Sequence, residues 1–356
     1  MKQTPNETPK KHRGLWWKIL LPILILVLLA ANFVPLNNWF IEMPGSAEPL
    51  AQYVKVDGKR DTAKGSFSLT TVGIAQATAM QLLLSKTRPY EDIVSRNDVM
   101  GGEDNATFDR VQQYYMTSAI NNAIAVAYKA AHEQYTIHYL GIYVLAVERK
   151  SAFAGKLQVG DTITKVNGRH FNASTGYINY IRQHKVGDTV TLTYTRGSKT
   201  LTASGKLYRL AQTKKPGIGI TLTDRTKVTT KIPVSANVAQ IGGPSAGLMF
   251  SLQIYDQLTG SKLRQGRHIA GTGEIAPDGT VGQIGGPEKK VYIAAKEGAT
   301  IFFAPHTKVT KAIKKLDPGF EDNYAVAKKA AKDSHLKITV VPVEKFGDAV
   351  KYLQTH

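Results

Sequence analysis

Hydrophobic and polar positions divide the chain into blocks, of which the first is the simplest. Residues 1–18 are polar and basic, whereas residues 19–34 carry no charge. With Trp16 and Trp17 in front, the apolar run reaches the roughly 20 residues that span a bilayer. We therefore predict a transmembrane anchor over residues 19–36. The positive charges before it place the N-terminus in the cytoplasm and the remaining chain outside the cell. A signal peptide cleaved near Asn32 is the alternative.

Beyond the apolar run, the pattern changes between strand and helix periods. Alternating β-branched residues predict a strand over Gly65–Val72, and apolar residues at helical spacing predict helices over Ala75–Leu84 and Tyr114–Ala131. Short strands separated by turns fill residues 137–210, whereas strands and helices alternate over residues 216–356. This order predicts an α/β or α+β fold that contains a separate β-rich block.

Two glycine-rich stretches each lead into a predicted helix. The first is G-G-P-S-A-G, and it places Ser245 where a helix begins. Free backbone N–H groups and the positive end of the helix dipole can stabilise an oxyanion there. In the second stretch, Pro287 suits the first position of a helix that Gly298 ends, so Lys290 lies in the first turn. The same dipole disfavours a charged lysine, which makes Lys290 a candidate for a lowered pKa and for base chemistry.

These stretches resemble the Lon family of Ser–Lys peptidases. The resemblance is carried by G-P-S-A-G around Ser245, by T-G-E-I at residues 272–275, and by I-G-G-x-x-x-K at residues 284–290. An Ala-Ala pair follows the last box, one residue later than in the family pattern. The resemblance implies that Ser245 is the nucleophile and Lys290 the base, and Lys289 is the neighbour with which Lys290 could be confused.

The resemblance also implies roles for groups around the two side chains. Backbone N–H groups at Ser245 and beside Gly243 would hold the oxyanion. Thr272, from the T-G-E-I box, would orient Lys290 by a hydrogen bond. The alternative for Thr272 is a strand threonine with no role in the chemistry.

Residues 137–210 resemble a PDZ domain. The most specific match is V-G-D-x-I-x-x-V-N-G at residues 159–168, which ends in an Asn-Gly turn. The resemblance implies that backbone N–H groups of Leu140, Gly141 and Ile142 bind a terminal carboxylate. An extended peptide would then pair with the strand that begins at Ile142. The alternative is a small β domain that serves only as a spacer.

Composition and charge narrow the chemistry further. The 356 residues include no cysteine, which excludes disulfides and thiol catalysis, and the nine histidines show no zinc-peptidase spacing. We expect no metal and no cofactor. The chain has no G-x-x-x-x-G-K-[ST] box, so we expect no ATPase motor. The net charge of +19 comes without a nucleic-acid-binding motif, so we expect no nucleic-acid partner.

The sequence therefore predicts a membrane-anchored, ATP-independent serine endopeptidase. A Lon-type proteolytic domain would consist of residues 65–133 and 216–356, with the PDZ domain inserted between them. This combination resembles the membrane-anchored PDZ–Lon peptidases of Gram-positive bacteria. It implies that extracellular peptides or unfolded protein segments are the substrates, that the PDZ domain engages them, and that the chain forms a homo-oligomer. The alternative function is a non-catalytic, membrane-tethered PDZ scaffold or receptor on a degenerate peptidase fold.

Overall fold

The computed structural model describes residues 15–238 and 241–356. The predicted basic tail, residues 1–18, lies outside the described residues except for its last four positions. Within those ranges the α-helices are α1 (Leu15–Ala31), α2 (Ala79–Leu84), α3 (Arg96–Met100), α4 (Asn105–Ala130), α5 (Ser174–Arg182), α6 (Gly247–Leu258), α7 (Pro287–Lys296), α8 (Lys311–Leu316), α9 (Asn323–Asp333) and α10 (Phe346–Thr355).

The strands in the same ranges vary from two to fifteen residues in length. They are β1 (Pro35–Pro49), β2 (Val54–Val56), β3 (Lys59–Arg60), β4 (Ser66–Thr78), β5 (Asp92–Ser95), β6 (Tyr135–Val147), β7 (Thr162–Val166), β8 (Thr189–Arg196), β9 (Lys199–Lys206), β10 (Tyr208–Arg209), β11 (Pro216–Gly217), β12 (Ile220–Thr230), β13 (Val234–Ala236), β14 (His268–Gly271), β15 (Glu274–Ile275), β16 (Val281–Gly282), β17 (Ile301–Pro305) and β18 (Thr339–Val343).

The first of two compact units contains the chain up to Met43 together with Gly73–Gly102. Its helix α1 has 17 residues, and the large apolar side chains from Trp16 to Leu29 are exposed. The helix ends before the predicted boundary at residue 36, because Pro35 begins strand β1 and disfavours helical backbone in the residue before it. In the described part of the chain, no helix is long and apolar enough to cross a membrane.

The helix predicted over Ala75–Leu84 is shorter in the structure. Strand β4 continues to Thr78, and α2 begins at the next residue. The Thr78 side chain accepts the N–H of Gln81, and the Gln81 side chain accepts the N–H of Thr78. This capping box fixes the helix start, which the hydrophobic period alone does not show.

The second unit contains Pro44–Val72 and Glu103–His356. Four of its strands are parallel neighbours in the order β18-β17-β14-β4, and Leu69 of β4 lies opposite Gly271 of β14. Strands β15 and β16 form the hairpin predicted at Asp278-Gly279, with Ile275 opposite Val281. The unit therefore joins an early strand of the chain to strands about 200 residues later.

One hydrophobic core of this unit draws on both sides of the β-rich block. Leu50 and Phe67 come from before the block, Met116 and Tyr128 from α4, and Leu248 from α6. The core begins earlier than the predicted boundary at residue 65, because Leu50, Val54 and Val56 are also buried in it. A core shared in this way is the arrangement that an inserted domain requires.

Helix α4 supplies one long wall of that core. It begins at Asn105, nine residues before the predicted start, because the Asp104 carboxylate accepts the Thr107 N–H at 2.8 Å and caps the helix. The preceding Gly101 has a positive φ and ends α3. The segment predicted to be irregular therefore contains two helix termini.

The β-rich block forms a five-stranded sheet in the order β12-β6-β7-β8-β9, and α5 adds to a second hydrophobic core there. The predicted turn at Asn167-Gly168 is present, and both residues have a positive φ. Strand β12 lies beyond the predicted end of the block at Leu210. It pairs with β6 along its whole length, from Ile220 opposite Val147 to Thr230 opposite Tyr135.

Candidate active site

Ser245 lies in the loop that leads into α6, directly before the N-cap residue Ala246. Gly247 begins the helix at a point where no side chain fits, since an added Cβ would lie 2.6 Å from Ile275 Cγ2 and 3.0 Å from its backbone nitrogen. The Ser245 carbonyl accepts the N–H of Gly273 at 2.8 Å. The G-P-S-A-G and T-G-E-I boxes are therefore in direct backbone contact.

Lys290 lies in the first turn of α7, and its residue is only 4% exposed. Its Nζ is 2.8 Å from Ser245 Oγ and 3.2 Å from Thr272 Oγ1. The neighbouring Lys289 directs its ammonium to the Glu288 carboxylate, at 3.0 Å. The structure therefore brings Lys290 to Ser245, and Lys289 contacts Glu288.

The surroundings of Lys290 favour its neutral form. Burial lowers the pKa of Lys290 from 10.5 to about 8, while the carboxylates of Glu288 and Glu274 act in the opposite direction. With a pKa of about 8, roughly a quarter of the molecules carry a neutral Lys290 at a pH of about 7.5. Burial also raises the pKa of Glu274, and the Lys290 charge opposes that rise.

Thr272 connects the two side chains. It is fully buried, and its N–H donates to the Phe303 carbonyl at 3.0 Å. Its Oγ1 donates to the Ser245 carbonyl at 3.1 Å and lies 3.2 Å from Lys290 Nζ. Thr272 therefore contacts both the backbone of Ser245 and the amine that faces Ser245 Oγ.

Backbone donors near Ser245 differ in part from those expected. The Gly243 N–H donates to the Gln112 carbonyl at 3.0 Å, so in this conformation it is not available to an oxyanion. The N–H groups of Ser245 and Ala246 donate to no other residue among those that the structure describes. The free donors therefore lie at the nucleophile and at the residue after it.

A cavity of about 560 Å³ lies beside the Ser245 loop. Pro244 and Glu274 form part of its wall, and one face of α4 forms the rest, through side chains that include Gln112, Tyr115 and Asn122. The sequence analysis did not assign these helix residues to the site. Their spacing of three and seven residues places them on one helix face, which is the signal that could have found them.

The predicted carboxylate-binding residues Leu140, Gly141 and Ile142 lie within strand β6. Gly141 passes so close to the neighbouring strand that an added Cβ would lie 2.3 Å from the Ile163 carbonyl oxygen. Ile142 pairs with Ile163 of β7 on one edge and with Asp224 of β12 on the other. The edge on which we predicted a bound peptide is therefore occupied by the chain itself.

Comparison with known proteins bears on this β-rich block first. The family described as PDZ domain matches residues 112–207. The chain contains a PDZ domain. The solved PDZ domain of an SdrC-like protein from Listeria monocytogenes is 41% identical and covers 24% of this chain and 92% of that one, with a TM-score of 0.24. The corresponding domain from Listeria innocua is 44% identical and covers 23% and 92%, with a TM-score of 0.23.

A second comparison concerns a longer protein. The Lon protease of Rickettsia typhi is 29% identical to this PDZ-containing chain over 140 residues, which is 39% of this chain and 18% of that protein. The chain thus matches less than a fifth of the length of this relative. Among the residues that the structure describes, no group of three or more histidine, aspartate or glutamate side chains could hold a metal ion.

Proposed function

We propose that this PDZ protein is a serine endopeptidase in which Ser245 is the nucleophile and Lys290 the general base. The observation that carries the proposal is the buried Lys290 Nζ, 2.8 Å from Ser245 Oγ. The similarity to a Lon protease supports a protease-related protein. A core shared by both sides of the PDZ domain supports a Lon-type proteolytic domain with the PDZ domain inserted in it.

The reaction begins with a neutral Lys290. Its Nζ takes the Ser245 proton as Oγ attacks the scissile carbonyl carbon, and the carbonyl oxygen becomes an oxyanion. The free N–H groups of Ser245 and Ala246 stabilise that charge. The Lys290 ammonium then returns its proton to the leaving amine as the peptide bond breaks, and an acyl-enzyme remains. A water molecule, deprotonated by Lys290, releases the acyl group and restores the serine.

Thr272 acts as a positioning residue in this scheme. Its hydroxyl holds the Ser245 carbonyl and lies beside Lys290 Nζ, so it limits the rotation of the amine. The absence of an ATPase box from the sequence indicates ATP-independent cleavage. Substrates are therefore peptides or unfolded protein segments that reach the site without active unfolding.

We also propose that α1 anchors the protein in the cell membrane, with the N-terminus in the cytoplasm and the catalytic part outside. The support is the exposed apolar surface of α1 and the basic residues that precede it. A chain of this kind exposes such a surface when a lipid or protein partner covers it. Association into a homo-oligomer stays a prediction, to be measured by sedimentation in detergent.

Covalent labelling tests the catalytic proposal directly. A fluorophosphonate probe should label the wild type at Ser245, identified by peptide mass spectrometry, and should not label Ser245→Ala. Ser235→Ala, at an exposed strand position, is the matched control and should label as the wild type does. Absence of labelling together with absence of peptide cleavage would refute the peptidase and favour the PDZ scaffold.

Protease accessibility tests the location. Proteinase K added to intact cells should remove the catalytic part and leave an N-terminal fragment in the membrane fraction. Full protection of the chain in intact cells, with digestion only after lysis, would contradict an extracellular catalytic part. A soluble form that begins near Asn32 would instead show that the segment is a cleaved signal peptide.

A further inference from the structure

Residues 216–224, which we call the groove segment, pass between strand β6 and helix α5 of the PDZ domain. Ile218, Ile220 and Leu222 of the segment line the same cavity as Tyr177 and Ile181 of α5. Ile218 is buried in the PDZ core. The cavity that remains is about 180 Å³, whereas small-molecule ligand pockets measure about 300–1,000 Å³. The groove therefore has no room for a second strand.

The backbone of the groove segment is hydrogen-bonded as a strand added to β6. Its residues run antiparallel to β6, from Ile220 opposite Val147 to Asp224 opposite Ile142. The Gly219 carbonyl extends the pairing by accepting the N–H of Glu148 at 2.9 Å. This is the arrangement by which an extended peptide adds to the edge of a sheet.

The segment also places a carboxylate near Gly141 and Ile142. Asp224 lies opposite Ile142, and its Oδ1 accepts the N–H of Ser174, the first residue of α5, at 2.9 Å. The segment runs toward Gly141, so its carboxylate comes at the end where a bound peptide would place its terminus. Apolar residues at every second position, followed by a carboxylate, are the chemistry of a carboxyl-terminal peptide.

We propose that the groove segment is an internal ligand of the PDZ domain, and that a peptide with a free carboxyl terminus binds there only by displacing it. The segment is covalently attached, so its effective concentration in the groove is on the order of millimolar. A peptide of the same sequence therefore binds the intact protein at least about tenfold more weakly than it binds an emptied groove. The proposal does not depend on the chemistry at Ser245.

An engineered disulfide can hold the segment in place, because the natural chain has no cysteine. Ala146 and Thr221 lie directly opposite each other on β6 and β12, so Ala146→Cys with Thr221→Cys forms the lock. The matched control joins the same strands outside the groove, through Thr136→Cys with Thr229→Cys. Both pairs are made in the full chain, with Ser245→Ala present so that no probe is cleaved.

The probe is a fluorescein-labelled octapeptide with the sequence of residues 217–224, G-I-G-I-T-L-T-D, and a free carboxyl terminus. Binding is followed by fluorescence anisotropy. The oxidised lock should lose binding and regain it on reduction, whereas oxidation of the control pair should change nothing. The double variant Ile220→Ser with Leu222→Ser empties the groove and should bind the probe at least about tenfold more tightly than the parent.

Two results would overturn the proposal. The first is equal binding of the probe by the oxidised and reduced lock, which would mean that peptides bind elsewhere. The second is a double variant that binds no more tightly than the parent. Circular dichroism of that variant tells whether it folds, and the lock decides the question without it.

Discussion

Replacement of Lys290 by methionine should abolish catalysis and at the same time stabilise the fold at neutral pH. The Lys290 side chain is buried, and its pKa of about 8 compares with 10.5 for a free lysine. A difference of this size means that the folded state disfavours the ammonium by about 3 kcal/mol. Methionine removes that cost, although Ser245 Oγ and Thr272 Oγ1 each lose a contact.

The pH dependence separates the charge from every other effect of the substitution. Below pH 8 Lys290 is protonated in both states, and the folded state carries the full cost. Between about 8 and 10.5 the unfolded state binds more protons than the folded state, so wild-type stability rises with pH. Above 10.5 both states are neutral and the cost is gone. The stability difference between Lys290→Met and the wild type should therefore fall by about 3 kcal/mol across this window.

The assay is urea unfolding of both proteins at pH 7 and pH 10.5, followed by circular dichroism, with peptide cleavage measured on the same samples. The lost contacts with Ser245 and Thr272 contribute equally at both pH values and cancel in the comparison. Lys289→Met is the control for activity and should keep turnover, because Lys289 contacts Glu288. A stability difference that does not change with pH, or substantial cleavage by Lys290→Met, would refute the reasoning.

Three further predictions concern catalysis and the buried charges. Lys290→Arg keeps a positive charge that cannot be lost, so kcat should fall by about 10² to 10⁴, whereas Lys289→Arg should be nearly silent in the same peptide assay. Wild-type kcat/KM should rise with pH and level off above a pKa of about 8, and a flat profile from pH 6 to 9 would contradict a lysine base. Arg264→Leu should destabilise the protein by about 3–5 kcal/mol in thermal unfolding, because Asp61 and Asp256 are buried against this guanidinium and would lose it. Equal melting temperatures would show that the ion pairs contribute nothing.

Signals contained in a few neighbouring residues were read correctly from the sequence. The Asp278-Gly279 hairpin and the Asn167-Gly168 turn are present, because their backbone conformations depend on the residues themselves. The helices after Ser245 and around Lys290 are present for a similar reason, since glycine and proline limit where a helix begins and ends. Boundaries were less accurate where a side-chain cap such as Asp104 decides them.

Pairing between distant segments was not contained in those signals. Strand β12 follows β6 by about 70 residues, and its hydrophobic pattern fits any sheet edge, so the sequence did not show that it fills the PDZ groove. The Gly243 N–H was predicted as an oxyanion donor, but a carbonyl of α4 accepts it in the folded chain. Which donors stay free depends on packing that no local pattern describes.

The sequence by itself determined the residues of the candidate chemistry, the type of most elements and the presence of a PDZ domain. Only the tertiary structure decided that Lys290 is buried within 2.8 Å of Ser245, that Thr272 contacts both, and that the PDZ groove is filled by residues 216–224. The physical reason is range. Backbone preferences and hydrophobic periods act over one or two turns, whereas burial, a lowered pKa and strand pairing arise when segments far apart in the chain exclude water from one another.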